Sequence, residues 1–419
     1  MKIAIISQYN IFTSVGGTEY YVDMLIKGLL ERNHEVVFIT MGNQTDNTVI
    51  ESYKHREFLY KCFFLATPIF SELEIKQLVI SSTWEMMQPI LTQEKIDIIH
   101  VHSLTTFFNI RHFEKCKAIC KNMFFTTHIP AHFCPQGDLV KFNKAPCDGI
   151  LYSRCSYCVF TKSFKQGLSN LFRSQWKRVL EQIDIMNKLE IKLVCVSNWQ
   201  RQQAILNGYA AGKVCVVRQA IITENYNSNQ PKRNVSIFTI GYLGRLSEEK
   251  GAKLLLELIA VMLQTTNYCF VLGVPIKNCN PRYLITLRKL EESGGERIRV
   301  FDDITSNNKA TFFDEIDCLL IPSFFIETGP IVLLEALMFN KHIVSPNVGG
   351  PIEFKELFEN HITSYEWNLL PSAIQALQQA SRKISKGTDN AVLLKMKEKQ
   401  FTDLHEEIYA EAYLLQEQD

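Results

Sequence analysis

One pattern occurs twice in this chain, and it sets most of what the chain can fold into. Ile3 to Ser7 has buried-strand composition, and a polar loop then ends at Gly16-Gly17-Thr18-Glu19. Tyr21, Met24, Leu25, Leu29 and Leu30 recur at helical spacing, and His34 to Thr40 reads as the next strand. The second occurrence begins with a strand from Ser236 to Leu243. It continues through a turn from Gly244 to Gly251 and a helix from Ala252 to Leu263. Strand, glycine turn, helix, strand is the βαβ unit of a parallel sheet, which needs helices on both faces. Two such openings in 419 residues predict two Rossmann-like, doubly wound α/β domains, one ending near 228 and the next spanning 229–398. The polar run through Asn234, with Pro231 and adjacent charges, is the expected boundary.

Composition removes several classes of function. A formal charge of +1 gives no reason to expect nucleic acid as a partner. No apolar run reaches the roughly 20 residues of a membrane span. Met1 to Ser7 reads as a first strand and not as an export signal, so a cytoplasmic location is expected. Twelve cysteines without such a signal point to a reducing compartment, where clustered cysteines serve as metal ligands more often than as disulfides. The first glycine turn lacks the Gly-x-Gly-x-x-Gly spacing, which disfavours a nicotinamide site. Standing alone, Gly16-Gly17 fits either a plain tight turn or a close backbone approach to a ligand.

The stretch most suggestive of chemistry runs from Cys318 to Phe339. Cys318-Leu-Leu-Ile321 is a buried-strand run, a loop follows, and a helix is expected from Ile331. Pro330 suits the first helical turn. Glu327 lies in the loop and Glu335 lies one to two turns into the helix. Free N–H groups at the helix start stand between them and favour an anion. A diphosphate flanked by hydroxyl-bearing groups fits such a set. In the second glycine turn, Arg245 and Lys250 sit on either side and can meet a phosphate at the strand's carboxyl end. A loop glutamate, an exposed helix glutamate and ordinary helix-start charges are the alternatives.

Histidines and cysteines mark the first half. Ile96 to Ser103 is a strand that places His100 and His102 on one face, a core or cleft-edge arrangement. Phe124-Phe-Thr-Thr-His128 is another strand ending in histidine, with His132 nearby. A loop-like insertion, 134–158, then carries Cys134, Cys147, Cys155 and Cys158, the last two as Cys-x-x-Cys. Four thiolates there can close a tetrahedral structural zinc site; an iron–sulfur cluster and unligated thiols are the alternatives. Residues 162–181 read as a basic amphipathic helix, suited either to peripheral membrane contact or to packing on the domain. Residues 45–95 lean towards helix, and residues 366–419 read as helices.

Several of these stretches resemble glycosyltransferase family 4, the retaining nucleotide-sugar transferases of GT-B fold. Pro322-Ser323, Glu327, seven residues and Glu335-Ala336-Leu337 are similar to its donor-site signature. Gly244-Arg245-Leu246-x-x-x-Lys250-Gly251 resembles its phosphate-contacting signature, and Gly-Gly-x-Glu after the first strand resembles its loop facing the donor phosphates. The resemblance implies two Rossmann-like domains facing a cleft, with a last helix, 399–419, returning to the first. It implies Glu327 near the transferred sugar, Glu335 on the ribose, and Arg245 and Lys250 on the departing diphosphate. His128 would stand beside the sugar. Gly16, Gly17, Gly244, Gly329 and the amides of Ile331 and Val332 would line the donor. Gly329-Pro330 stands where the family usually has Phe-Gly, so Pro330 withdraws one amide. Arg218-Gln219-Ala220-Ile221 replaces the family's Asn-Gly-Ile-Asp turn. Glu353 resembles a further position near the donor. The implied activity is sugar transfer from a UDP- or GDP-activated donor to a hydroxyl on a glycan or lipid-linked acceptor, as in surface-polysaccharide synthesis. No catalytic metal is expected. The rival reading is a non-catalytic nucleotide-sugar-binding or scaffold protein of the same fold.

Overall fold

The computed structural model describes the chain except residues 14–15, 43–47, 76, 78, 150–154, 161–168, 220–236, 305–307, 385–397 and 415–419. It divides into two compact units, Met1–Ala220 with Glu398–Asp419, and Ile221–Lys397. The expected boundary near 228 lies outside the described residues.

The first unit is built on a sheet of β1 (Lys2–Ser7), β2 (Glu35–Met41), β3 (Val49–His55), β4 (Phe58–Leu65), β5 (Ile98–His102), β6 (Asn122–Thr127), β9 (Lys192–Cys195) and β10 (Val214–Val216). A separate two-stranded hairpin, β7 (Val140–Lys141) and β8 (Ala145–Pro146), lies between β6 and β9 in sequence. The sheet order is β10-β9-β6-β5-β1-β2-β4-β3, with every pair parallel except β3 and β4. β1, β5 and β6 are almost wholly buried, as strands covered by helices on both faces must be.

The helix expectation for 45–95 is corrected here. Val49–His55 and Phe58–Leu65 form an antiparallel hairpin at the sheet edge, turned by Arg56 in a left-handed conformation at φ 53°. Tyr, Phe, Val and Ile favour a pleated, half-covered surface, and that preference prevails over the helical lean of the segment as a whole. Helix does follow at Thr83–Gln93.

The helix Glu398–Leu414 belongs to this unit and packs on the helix Gly17–Glu31. A side chain at Gly28 would overlap Thr402, so glycine permits the close crossing. Arg32 pairs with Asp403 and Glu406, and His34 Nε2 meets Glu406 at 2.9 Å. The amphipathic segment expected at 162–181 falls partly outside the described residues. The helix there runs Ser169–Lys188.

The second unit has six strands: β11 (Thr239–Leu243), β12 (Cys269–Gly273), β13 (Ile298–Phe301), β14 (Cys318–Leu320), β15 (His342–Pro346) and β16 (Ile362–Tyr365). All pairs are parallel, in the order β13-β12-β11-β14-β15-β16. Strand order reverses between β11 and β14. In open parallel sheets a crevice forms there, beyond the strands' carboxyl ends, and ligands bind in it. Ile240, Tyr242, Leu255, Ile259, Leu272 and Leu320 are among the residues that fill the core beneath. Among the described residues, no helix is long and apolar enough to cross a membrane.

Candidate active site

The loops after β11 and β14 meet at that switch point. The turn Gly244–Gly251 leads into the helix Ala252–Thr265, and Gly251 caps it at φ 72°. A Cβ on Gly251 would overlap the Pro322 carbonyl, so only glycine lets the two loops come this close. Phe324 and Phe325 both donate their N–H to the Glu249 carbonyl, at 2.9 and 3.0 Å. These contacts bring Lys250 against Glu327: Nζ stands 2.8 Å from Oε1. The Ser323 hydroxyl donates to the same oxygen at 2.6 Å. Lys250 also lies over the Phe325 ring, 4.7 Å from its centroid. The Gly350 N–H holds the Glu327 carbonyl at 2.8 Å, so the glutamate's backbone is fixed as well as its side chain.

Arg245, on the other flank of the turn, is exposed. Its carbonyl accepts from the Tyr242 hydroxyl at 2.7 Å, which fixes the backbone and leaves the guanidinium facing solvent. Gly244 beside it has φ 157°. Pro330 caps the helix Ile331–Met338, standing just before the first turn. Leu333 donates back to the Pro330 carbonyl at 3.1 Å. Ile331 and Val332 then supply the leading amides, which have no intrahelical acceptor. Gly329 lies immediately before them. Glu335 is buried in this helix, and Lys309 Nζ meets its Oε1 at 2.5 Å. Glu327 and Glu335 thus have separate lysine partners. Glu353 is buried in the helix Gly350–Leu357.

The remaining expected residues belong to the first unit. Gly16 caps the helix Gly17–Glu31, and both glycines are exposed. His128 is buried just past β6, with the Tyr21 ring edge-on at 4.8 Å and His102 Nδ1 3.2 Å from its Nε2. Burial, then the neighbouring His405, pushes His128 down to about 3, so it is neutral at ordinary pH. His100 is fully buried between the Tyr409 hydroxyl, at 2.5 Å, and the Thr126 hydroxyl, at 2.6 Å. The Leu104 N–H donates to His132 Nε2 at 3.2 Å, leaving Nδ1–H to donate to the Thr127 hydroxyl at 2.8 Å. His100 and His132 are therefore satisfied core histidines.

Cys134, Cys147, Cys155 and Cys158 line one small cavity in the excursion after β6. None of the cysteines is in a disulfide. Burial, and after it the Asp138 carboxylate, push the Cys134 thiol up to about 11, with a smaller opposing pull from the nearby backbone. As the side chains stand, no three His, Cys, Asp or Glu among the described residues form a group that could hold a metal ion.

Two residues were absent from the sequence-based site. Ser323 was within reach, since it sits in the loop beside Glu327. Lys309 gave no local signal, because 26 residues separate it from Glu335.

Two family models match the chain. The model described as Glycosyltransferase Family 4 matches residues 15–225, and that described as Glycosyl transferases group 1 matches residues 225–388. The chain belongs to glycosyltransferase family 4. This family-4 glycosyltransferase is 23% identical over 381 residues to the phosphatidylinositol N-acetylglucosaminyltransferase GPI3 subunit of Saccharomyces cerevisiae (strain YJM789), covering 88% of this chain and 73% of that one. Among solved structures it superposes on a glycosyltransferase from Rickettsia africae with TM-score 0.67 and 16% identity, covering 98% of each chain. It also superposes on Anabaena Alr3699/HepE, in complex with UDP and glucose, with TM-score 0.64 and 14% identity, covering 98% of this chain and 99% of that one. The fold of this family-4 enzyme is GT-B.

Proposed function

We propose that this glycosyltransferase moves a sugar, with retention of anomeric configuration, from a uridine diphosphate donor to a hydroxyl of a lipid-linked acceptor. The observation that carries this reading is the Lys250–Glu327 pair at the switch point of the second sheet. Departure of the nucleotide diphosphate is the hard step, and it needs positive charge already in place where negative charge grows. Lys250 is held by Glu327 and Phe325, Arg245 faces solvent on the same turn, and the Ile331 and Val332 amides open a helix on the adjoining loop. Glu327 would stand by the transferred sugar and Glu335 by the ribose. His128, neutral through burial, would offer a hydrogen bond and no charge.

The Anabaena protein binds UDP and glucose, which supports uridine as the first base to test. The yeast relative is named for transfer of N-acetylglucosamine to phosphatidylinositol, which supports N-acetylglucosamine as the sugar and a lipid as the acceptor. We extend the reading to a cytoplasmic protein with peripheral membrane contact through 162–181, supported by the basic, amphipathic composition of that segment. The test is incubation of the full chain with UDP-N-acetylglucosamine and phosphatidylinositol vesicles, with the linkage read by proton NMR. An α-linked product from the α-linked donor is expected. A β-linked product refutes retention, and absence of product with every uridine and guanosine donor refutes the donor class.

A further inference from the structure

The excursion 134–159 follows β6 and takes no part in the chemistry proposed above. It gathers cysteines from three places in the sequence. Cys134 stands after the turn Pro130–His132, Cys147 follows β8, and Cys155 and Cys158 lie on a helical segment at 155–160. All four line a single cavity of about 20 Å³. That volume suffices for one particle the size of a water molecule. The hairpin β7–β8 returns the chain so that the Cys147 N–H donates to the Leu139 carbonyl at 2.7 Å. This brings the second cysteine back beside the first.

Backbone N–H and C=O groups both approach the sulfurs: Cys147 Sγ lies 3.5 Å from the Gly149 carbonyl and Cys158 Sγ 3.8 Å from the Val140 carbonyl. The Phe142 N–H donates to Cys158 Sγ at 3.3 Å. The Gly137 N–H donates to the Cys134 carbonyl at 2.9 Å, which closes the turn after the first cysteine. Lys141 lines the same cavity and lies 3.6 Å from Asp148.

We propose that Cys134, Cys147, Cys155 and Cys158 together hold one Zn²⁺ in a tetrahedral, four-sulfur structural site. Bonding places each sulfur about 2.3 Å from the ion. The four cysteines already line one cavity, and as they stand they do not form a metal-holding group, so binding has to draw the sulfurs together. Four thiols release four protons to solvent as one Zn²⁺ enters, and the closed site carries two net negative charges. All-sulfur tetrahedral ligation selects zinc or iron–sulfur chemistry, and metal analysis separates the two. Four sulfurs leave no open position, so the ion activates no water and touches no substrate. Its work is to staple an excursion that begins six residues past His128. The proposal stands independently of the transfer reaction.

The test is elemental mass spectrometry on the full chain, expressed with zinc and purified without chelators or metal-affinity resin. About one zinc per chain is expected. A mercurial titration of the unmodified protein, followed with a chromogenic chelator, should release that zinc as four thiols are consumed. Cobalt in its place should give the visible bands of a tetrahedral thiolate complex. Cys155→Ser/Cys158→Ser should lose the metal, whereas Cys215→Ser, in β10, should keep it. Zinc well below one per chain after reconstitution with a zinc salt overturns the proposal. So does iron in place of zinc, or a double variant that retains zinc. Should the double variant fail to fold, the mercurial titration decides, and release of zinc without uptake of mercurial by four thiols is the contrary result.

Discussion

Replacing Lys250 by alanine separates the structural from the chemical work of the switch-point loops. The ammonium stands 2.8 Å from Glu327 Oε1, and its side chain is 31% exposed against 9% for the glutamate. A hydrogen bond to a charged group contributes about 1.5–3 kcal/mol. Water reaches the lysine end and the Ser323 hydroxyl still holds the carboxylate at 2.6 Å. The stability loss should therefore fall near the lower end, about 1–2 kcal/mol. On the proposed mechanism the loss in the transition state is larger, because alanine would remove a preorganised charge from the place where the diphosphate departs. A decrease in kcat on the order of 10²–10³-fold is expected. The assay is initial-rate transfer at saturating donor, with product quantified by mass spectrometry and Tm measured on the same preparations. A variant with lowered Tm and unchanged kcat would confine Lys250 to holding Glu327 and refute the reasoning.

Glu335→Ala should weaken nucleotide binding with little effect on kcat at saturating donor, since its proposed contact is to the ribose. Equal KM for the two proteins would contradict this. Gly251→Ala combines φ 72° with an overlap on the Pro322 carbonyl, so a loss of at least about 1–3 kcal/mol is expected, read as a lower Tm. An unshifted Tm would show that the two loops do not depend on this approach. Burial pushes His405 down to about 4 and His128 and His132 down to about 3. An unfolded histidine titrates near 6.5, so the unfolded chain takes up protons that the folded one refuses. Stability should therefore fall as pH drops from about 6.5 towards 3–4, and these groups should add no pH dependence above that window. A Tm that stays level on acidification through the upper half of the window would contradict the buried, neutral state.

The α/β class was legible because its signals are local: a strand run, a glycine turn and helical spacing, each within about thirty residues. The loop carrying Arg245 and Lys250 and the loop carrying Glu327 were legible for the same reason, and the parallel pairing of β11 with β14 sets them side by side. What tertiary contact alone creates could not be read. His405 and Tyr409 sit on a helix near the end of the chain, yet they bond Tyr21 and His100 across separations of 384 and 309 residues. The Nδ1–H of His405 donates to the Phe401 carbonyl, so its Nε2 accepts from the Tyr21 hydroxyl, and no local pattern announces either bond. In the edge hairpin β3–β4, exposed Glu51, Lys54 and Lys61 dilute the strand alternation, so the segment leans towards helix in the sequence alone.

The central claim is that a nucleoside diphosphate is gripped at the switch point of the second sheet by the turn after β11. Isothermal titration of the full chain with UDP, beside an Arg245→Ala/Lys250→Ala variant, tests it most directly. Saturable binding by the parent protein and its loss in the doubly substituted one is the predicted result. Equal affinity in the two proteins would contradict the account.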